Sequence, residues 1–214
     1  MRVEISSRST PYEFHSPHGR VLFCMEEALV SHERFDGRMS PAVKRVNFSR
    51  GDSVAVLLYA DNTDEVVLVE QFRYPVYAGY HESERDGKGW ILETVAGIKD
   101  ARGPDVGRRE LLEETGYALR GELEHLTTVY VSPGGTSERT ELYLARVSKL
   151  EGIRRHAGLE AESEDIRPHI IAFGEALRMV ADGRIVDSKT VIALYMLKER
   201  LDGRREASQS SPSQ

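Results

Sequence analysis

Apolar positions along the chain fall into two spacings, and the places where one gives way to the other mark the elements. Residues 1 to about 50 carry short alternating runs, Val21 to Met25 and Val43 to Phe48, separated by turn signals at Ser16-Pro17-His18-Gly19 and Asp36-Gly37. This predicts a small antiparallel β unit. From Val54 the pattern grows denser: Val54 to Tyr59 and Val66 to Phe72 are strongly β-prone and flank Asp61-Asn62-Thr63-Asp64, which predicts a hairpin in a main sheet. A polar, glycine-bearing insertion from Gly79 to Gly89 precedes a predicted strand at Trp90 to Val95, after which Ala96-Gly97 opens a loop toward a helix. Pro104-Asp105 supplies the helix start and Gly116 its C-cap. Leu123 to Val131 and Thr140 to Val147 read as strands joined by Ser132-Pro133-Gly134-Gly135-Thr136-Ser137. The stretch from Glu151 to Asp165 has almost no periodicity and reads as a mobile loop. Ile170 to Phe173 then makes a short strand, and Glu175 to Ala181 and Ser188 to Leu201 have helical spacing. The division expected is a β unit over 1–50, a main domain over 51–202 and a disordered tail over 203–214.

Composition narrows the class. With 214 residues, 40% of them hydrophobic, the chain suits one domain with a small appendage and needs no covalent staple. The single cysteine, Cys24, excludes an internal disulfide framework and agrees with a reducing cytoplasm. The start, Met1-Arg2-Val3-Glu4, leads into polar sequence, and no stretch reaches the length of a membrane span, so a cytoplasmic protein without a membrane partner is expected. A net charge of -6 argues against a nucleic-acid polymer as partner but leaves room for a basic pocket that takes one small nucleotide.

The chemistry is concentrated in Arg109-Glu110-Leu111-Leu112-Glu113-Glu114-Thr115-Gly116-Tyr117. At about 100° per residue, Glu110, Glu113 and Glu114 share roughly a quarter to a third of the helix circumference. Like charges at i,i+4 destabilise a helix by a few tenths of a kcal/mol, so the cluster points to a bound cation that reverses the sign of the interaction. An all-oxygen donor set favours magnesium, with manganese as the alternative, over zinc.

Gly97 followed by Arg109-Glu110-x-x-Glu113-Glu114-x-Gly116-Tyr117 resembles the signature box of the Nudix hydrolases, and the second half of the box matches fully. The resemblance implies an α/β/α sandwich around a mixed sheet, with the small N-terminal antiparallel β unit exchanging strands in a homodimer. It implies that Glu110, Glu113 and Glu114 ligate magnesium, with the main-chain carbonyl of Ala96 as a further ligand. The first half of the box departs from the family. The loop between Gly97 and Arg109 is two residues shorter than usual, and Gly103 stands where a glutamate that pairs with the box arginine is expected. Asp100 or Asp105 is then the substitute partner for Arg109.

Three further segments extend the resemblance to the ADP-ribose pyrophosphatase branch, over about residues 30 to 200. Pro133 lies sixteen residues past Tyr117, in a Ser-Pro-Gly-Gly run followed by Glu138. Such a turn lets backbone N–H groups approach a phosphate or sugar, although alone it is equally a hairpin loop. By resemblance Pro133, Gly134, Gly135 and Glu138 meet the substrate. The acidic stretch Gly158 to Ile166 resembles the branch's catalytic loop, with Glu162 as general base and Glu164 as an added metal ligand. Phe35, Arg50 and Arg73 fall at the base and diphosphate contacts, since an aromatic ring and a guanidinium can clamp a purine and a second guanidinium can meet the diphosphate. The implied reaction is magnesium-dependent hydrolysis of ADP-ribose to AMP and ribose 5-phosphate. GDP-mannose or another nucleoside diphosphate sugar is an alternative substrate, and a non-catalytic nucleotide sensor is the alternative of another class.

Overall fold

The computed structural model describes residues 1–16, 19, 21–159 and 164–209. They form two compact units, Met1–Asp52 with Tyr130–Arg139, and Ser53–Val129 with the rest of the chain from Thr140.

The first unit is built on three strands, β1 (Val3–His15), β2 (Val21–His32) and β3 (Val43–Ser49), in the order β1-β2-β3 with antiparallel pairing throughout. β1 carries no alternation that would mark it as a strand. It is exposed along its whole length and holds Pro11, and its register with β2 shifts between Ser9 and Tyr12. Backbone pairing, together with Phe14 stacked on Phe23 at 4.9 Å between ring centroids, defines it instead. The turn at 130–139 belongs to this unit because Phe48 N–H donates to Gly135 O at 2.9 Å and Asn47 bonds Ser137 through both its backbone and its hydroxyl.

The second unit is a seven-stranded mixed sheet. Its main path runs β10 (Arg167–Ala172), β5 (Glu65–Phe72), β4 (Ser53–Ala60), β9 (Arg139–Val147), β8 (Leu123–Tyr130), while β6 (Trp90–Glu93) pairs with β5 and β7 (Val95–Ile98) with β4. β4 runs antiparallel to β5 and parallel to β9. The predicted β4–β5 hairpin is therefore present. Its central strand is buried on both faces, and the period of two sorts those faces cleanly. Ala55, Leu57 and Tyr59 pack with Phe173, Ala176 and Met179 of α3 (Phe173–Ala181) and Ala193, Leu194 and Leu197 of α4 (Ser188–Gln209). Val54, Val56 and Leu58 pack with Val106 and Leu111 of α2 (Gly103–Thr115). Helices thus cover both sides of the sheet, which is the expected α/β/α sandwich with its antiparallel N-terminal appendage.

Three elements differ from the sequence expectation. The run Trp90 to Val95 is two strands, and Ala96-Gly97 lies inside β7 rather than in a loop. The break falls at Thr94, whose N–H leaves the ladder to bond Thr190 Oγ1 at 2.7 Å. A short helix, α1 (Tyr74–Ala78), immediately precedes the polar insertion, and the insertion itself carries a 3-10 turn (Glu82–Glu84), with Arg85 donating to Tyr80 O and Ala78 O. α4 continues through Gln209, into the stretch expected to be disordered. Arg204, Arg205, Glu206 and Ala207 favour helix there, and Lys198 pairs with Asp202 in the turn just before. Among the described residues no helix is long and apolar enough to cross a membrane.

Candidate active site

In the second unit the site is organised by α2. Pro occupies its first turn, and Gly116 ends it in the left-handed region, φ 78°, donating its N–H to Leu112 O at 3.0 Å. Val106 and Leu111 pull one face into the core, while Glu114 and Glu110 lie against Ala96 and Gly97 of β7. Glu114 is only 3% exposed, and its Oε2 accepts from Ala96 N–H at 3.3 Å. Burial pushes its pKa well up, and the charges of Glu110 and Glu164 push further, against the Ala96 N–H and the charge of Arg73. Glu110 is raised for the same leading reason, burial, with Arg109 opposing and Glu113 and Glu164 adding. Negative charge thus accumulates around Glu110 and Glu114, opposed by Arg109 and Arg73, and a divalent oxygen-seeking cation would relieve it. As placed, no three acidic, His or Cys side chains among the described residues converge as a ready ion cage. Arg109 instead bridges Glu110 at 3.0 Å and Glu113 at 3.9 Å.

The shortened loop feeding α2 is held by three ion pairs. Arg109 Nη1 meets Asp100 Oδ1 at 3.0 Å, while Asp105 is taken by Arg102. Asp100 is therefore the substitute partner. Lys99 Nζ meets Glu141 Oε1 at 2.5 Å, and Tyr143 OH donates to Glu141 Oε2 at 2.9 Å. Two glycines are closely approached by side-chain ends and have no unusual torsion. A Cβ on Gly97 would lie 2.1 Å from Glu110 Oε1, and one on Gly103 would lie 2.2 Å from Glu141 Oε2. The Glu141 carboxylate from β9 thus fills the space beside the position where the box glutamate would begin. Gly103→Glu, which reinstates the family's residue, should lower stability by about 1–3 kcal/mol through overpacking, with like-charge repulsion in addition. Thermal unfolding of the variant checks this, and an unchanged or higher Tm would refute the displacement.

Arg73 stands just before α1, with Nη2 2.7 Å from Glu93 Oε2 and Nε 3.2 Å from both Glu93 oxygens. Glu93, 3% exposed, also receives Gln71 Nε2 at 3.4 Å and Lys189 Nζ at 3.4 Å. Glu93 and Lys189 are not among the residues singled out from the sequence. The available signal was a charged residue inside the otherwise apolar run Trp90-Ile91-Leu92-Glu93-Thr94-Val95, since a buried carboxylate must find partners. Glu164 accepts from Leu159 N–H at 3.3 Å, and its charge acts on Glu110 and Glu114. Glu162 lies outside the described residues.

The remaining candidates belong to the first unit. Arg50 and Glu138 come together, Nε to Oε2 at 3.6 Å. At Pro133-Gly134-Gly135 the chain turns tightly, Gly135 N–H and Thr136 N–H both donating to Ser132 O at 3.0 Å. A Cβ on Gly134 or Gly135 would meet nothing within 4 Å, so packing within the protein does not account for bare backbone there. Phe35 is 99% exposed on the turn after β2 and is not a core residue.

The second unit thus combines an α/β/α sandwich with a helix that carries Glu110, Glu113 and Glu114 beside β7. No family model matches the chain. ADP-ribose pyrophosphatase of Escherichia coli strain K12 is 37% identical over 198 residues, 92% of this chain and 88% of that protein. GDP-mannose pyrophosphatase of Pectobacterium atrosepticum is 37% identical over 173 residues, 80% of this chain and 85% of that protein. A crystal structure of an ADP compounds hydrolase matches with a TM-score of 0.63 at 18% identity, over 95% of this chain and 96% of that one. The chain belongs to the Nudix hydrolases, in the branch of the ADP-ribose and GDP-mannose pyrophosphatases, and is an enzyme of that type.

Proposed function

We propose that the enzyme hydrolyses the diphosphate bond of ADP-ribose, with magnesium, or manganese in its place, giving AMP and ribose 5-phosphate. The observation that supports this reading is the carboxylate face of α2 set against β7, where Glu114 is buried on Ala96 N–H and Arg109 bridges Glu110 and Glu113. The three helix glutamates, Glu164 and the carbonyl of Ala96 would hold the ion. When bound it supplies Lewis acidity toward the phosphoryl oxygens and lowers the pKa of the attacking water. Glu162 takes the proton of that water as it attacks one phosphorus and the bridging P–O bond breaks. Arg109 keeps Glu110 and Glu113 in place, and Arg73 neutralises the diphosphate. Phe35 and Arg50 bind the base, while Pro133, Gly134, Gly135 and Glu138 bind on the phosphate and sugar side.

The assembly we propose is a homodimer with exchanged N-terminal strands, working in the cytoplasm. What supports it is β1, an edge strand exposed along its whole length with Val3, Ile5, Tyr12 and Phe14 uncovered, the kind of edge that proteins pair or shield. An equally similar GDP-mannose pyrophosphatase supports a second reading, in which a nucleotide sugar with guanine is the substrate. Chromatographic assay of ADP-ribose, GDP-mannose and other nucleotide sugars, with magnesium and with chelator, tests both. We expect kcat/KM for ADP-ribose about tenfold or more above the rest, a difference of about 1.4 kcal/mol, and none with chelator. Preference for GDP-mannose would select the second reading, and no turnover of any would overturn both.

A further inference from the structure

The polar cluster behind Arg73 reaches further than one ion pair. Asp187 caps α4: its Oδ2 accepts from Thr190 N–H at 3.0 Å and its main-chain O from Val191 N–H at 3.0 Å. Its other carboxylate oxygen holds Lys189 Nζ at 2.9 Å. Lys189 is largely buried and lies 3.4 Å from Glu93 Oε2. The same helix end is tied to the sheet through Thr190 Oγ1, which accepts from Thr94 N–H, beside Glu93. Charges alternate along the series Asp187, Lys189, Glu93, Arg73, so each buried carboxylate has a cation and each cation a carboxylate.

The guanidinium at the end of this series is asymmetric. Nε and Nη2 of Arg73 are spent on Glu93, whereas Nη1 makes no hydrogen bond among the described residues, and the side chain is 40% exposed. One edge is clamped, and the other is left for a ligand.

We propose that Lys189, anchored by the N-cap of α4, is a positioning residue for the diphosphate: it fixes the Glu93 carboxylate, and Glu93 fixes the orientation in which Arg73 presents its free edge. This rests on the reading of Arg73 as a diphosphate contact. Glu93 without Lys189 keeps a single cationic partner, and its carboxylate can rotate with Arg73, so the free edge is held less well when the substrate arrives. A purely structural role would weaken the fold without acting through Arg73.

A double-mutant cycle separates the two. Binding of a nonhydrolysable ADP-ribose analogue is measured by calorimetry in the full-length chain carrying Lys189→Met, Arg73→Ala or both, with thermal unfolding alongside. We expect Lys189→Met to weaken binding about tenfold, with KM raised by a similar factor and kcat less affected. Lys189→Arg should recover most of the loss. In the Arg73→Ala background the same change should weaken binding less than about twofold. Additive losses, or native affinity in Lys189→Met, would overturn the proposal while leaving Arg73 as a contact. Native affinity in Arg73→Ala would instead remove the contact itself. If Lys189→Met does not fold, Lys189→Arg alone decides between them: retained affinity supports positioning, and a loss equal to that of Arg73→Ala with a native Tm overturns it.

Discussion

Glu114→Gln is expected to lower metal-dependent kcat by about 10²–10³-fold, equivalent to roughly 3–4 kcal/mol of transition-state stabilisation, while the fold survives and becomes more stable in chelator. Glutamine keeps the shape and can still accept from Ala96 N–H, so the backbone contact between α2 and β7 has no reason to fail. What disappears is a buried negative charge. A carboxyl whose pKa is higher in the folded than in the unfolded state favours folding in its protonated form. That contribution is complete below the ordinary value of about 4.5 and is lost as the pH rises through the raised folded value. Glutamine does not titrate. In chelator the Tm of the variant should therefore match the native chain near pH 4 and exceed it increasingly above about 4.5, by about 2–4 °C for each kcal/mol of relieved burial and repulsion. Saturating magnesium should reverse the order, because a ligand that binds the folded state stabilises the chain that holds it more tightly. Native kcat would take Glu114 out of the metal site, and a Tm difference independent of pH would contradict the burial argument.

The parts of this protein that could be read in advance are those where one local pattern has one physical solution. Val54 to Tyr59 is apolar at successive positions because it lies between two helical layers, and Pro104 and Gly116 delimit α2 from its ends alone. The acidic face of that helix follows from the helical period. The parts that stayed hidden depend on residues distant in sequence. β1 is a strand only because β2 pairs with it, and residues 130–139 join the N-terminal unit through Phe48, Asn47 and Asp52. Asp100 rather than Asp105 meets Arg109 because Arg102 occupies Asp105, a choice that spacing along the chain leaves open. Glu93 and Lys189 are nearly a hundred positions apart, and no short motif spans them. Gly103 shows the limit in reverse: the sequence registers a missing glutamate, but only the fold shows that Glu141 fills the space beside it.

Glu162→Gln should reduce kcat by about 10²–10⁴-fold, the usual range for a positioned general base, with affinity for a nonhydrolysable ADP-ribose analogue changed less than about threefold. The neck of its loop supports this assignment. Ala157 and Ile166 exchange two backbone hydrogen bonds, 2.9 and 3.1 Å, and Ile166 is fully buried. Gly158 N–H donates to Glu113 O and Arg154 N–H to Thr115 O, at the carbonyl end of α2 where such donors are wanted. The segment therefore leaves and rejoins the domain beside the helix that carries Glu110, Glu113 and Glu114. Glu164, at the neck, already acts electrostatically on Glu110 and Glu114. The two glutamates should then separate by phenotype. Glu164→Gln should raise the magnesium concentration needed for half-maximal rate, because it removes a ligand, whereas Glu162→Gln should leave that concentration unchanged and abolish the rising limb of the kcat–pH profile. A native rate and pH profile in Glu162→Gln would place the base elsewhere. A shift in magnesium dependence as large as that of Glu164→Gln would make Glu162 a ligand instead.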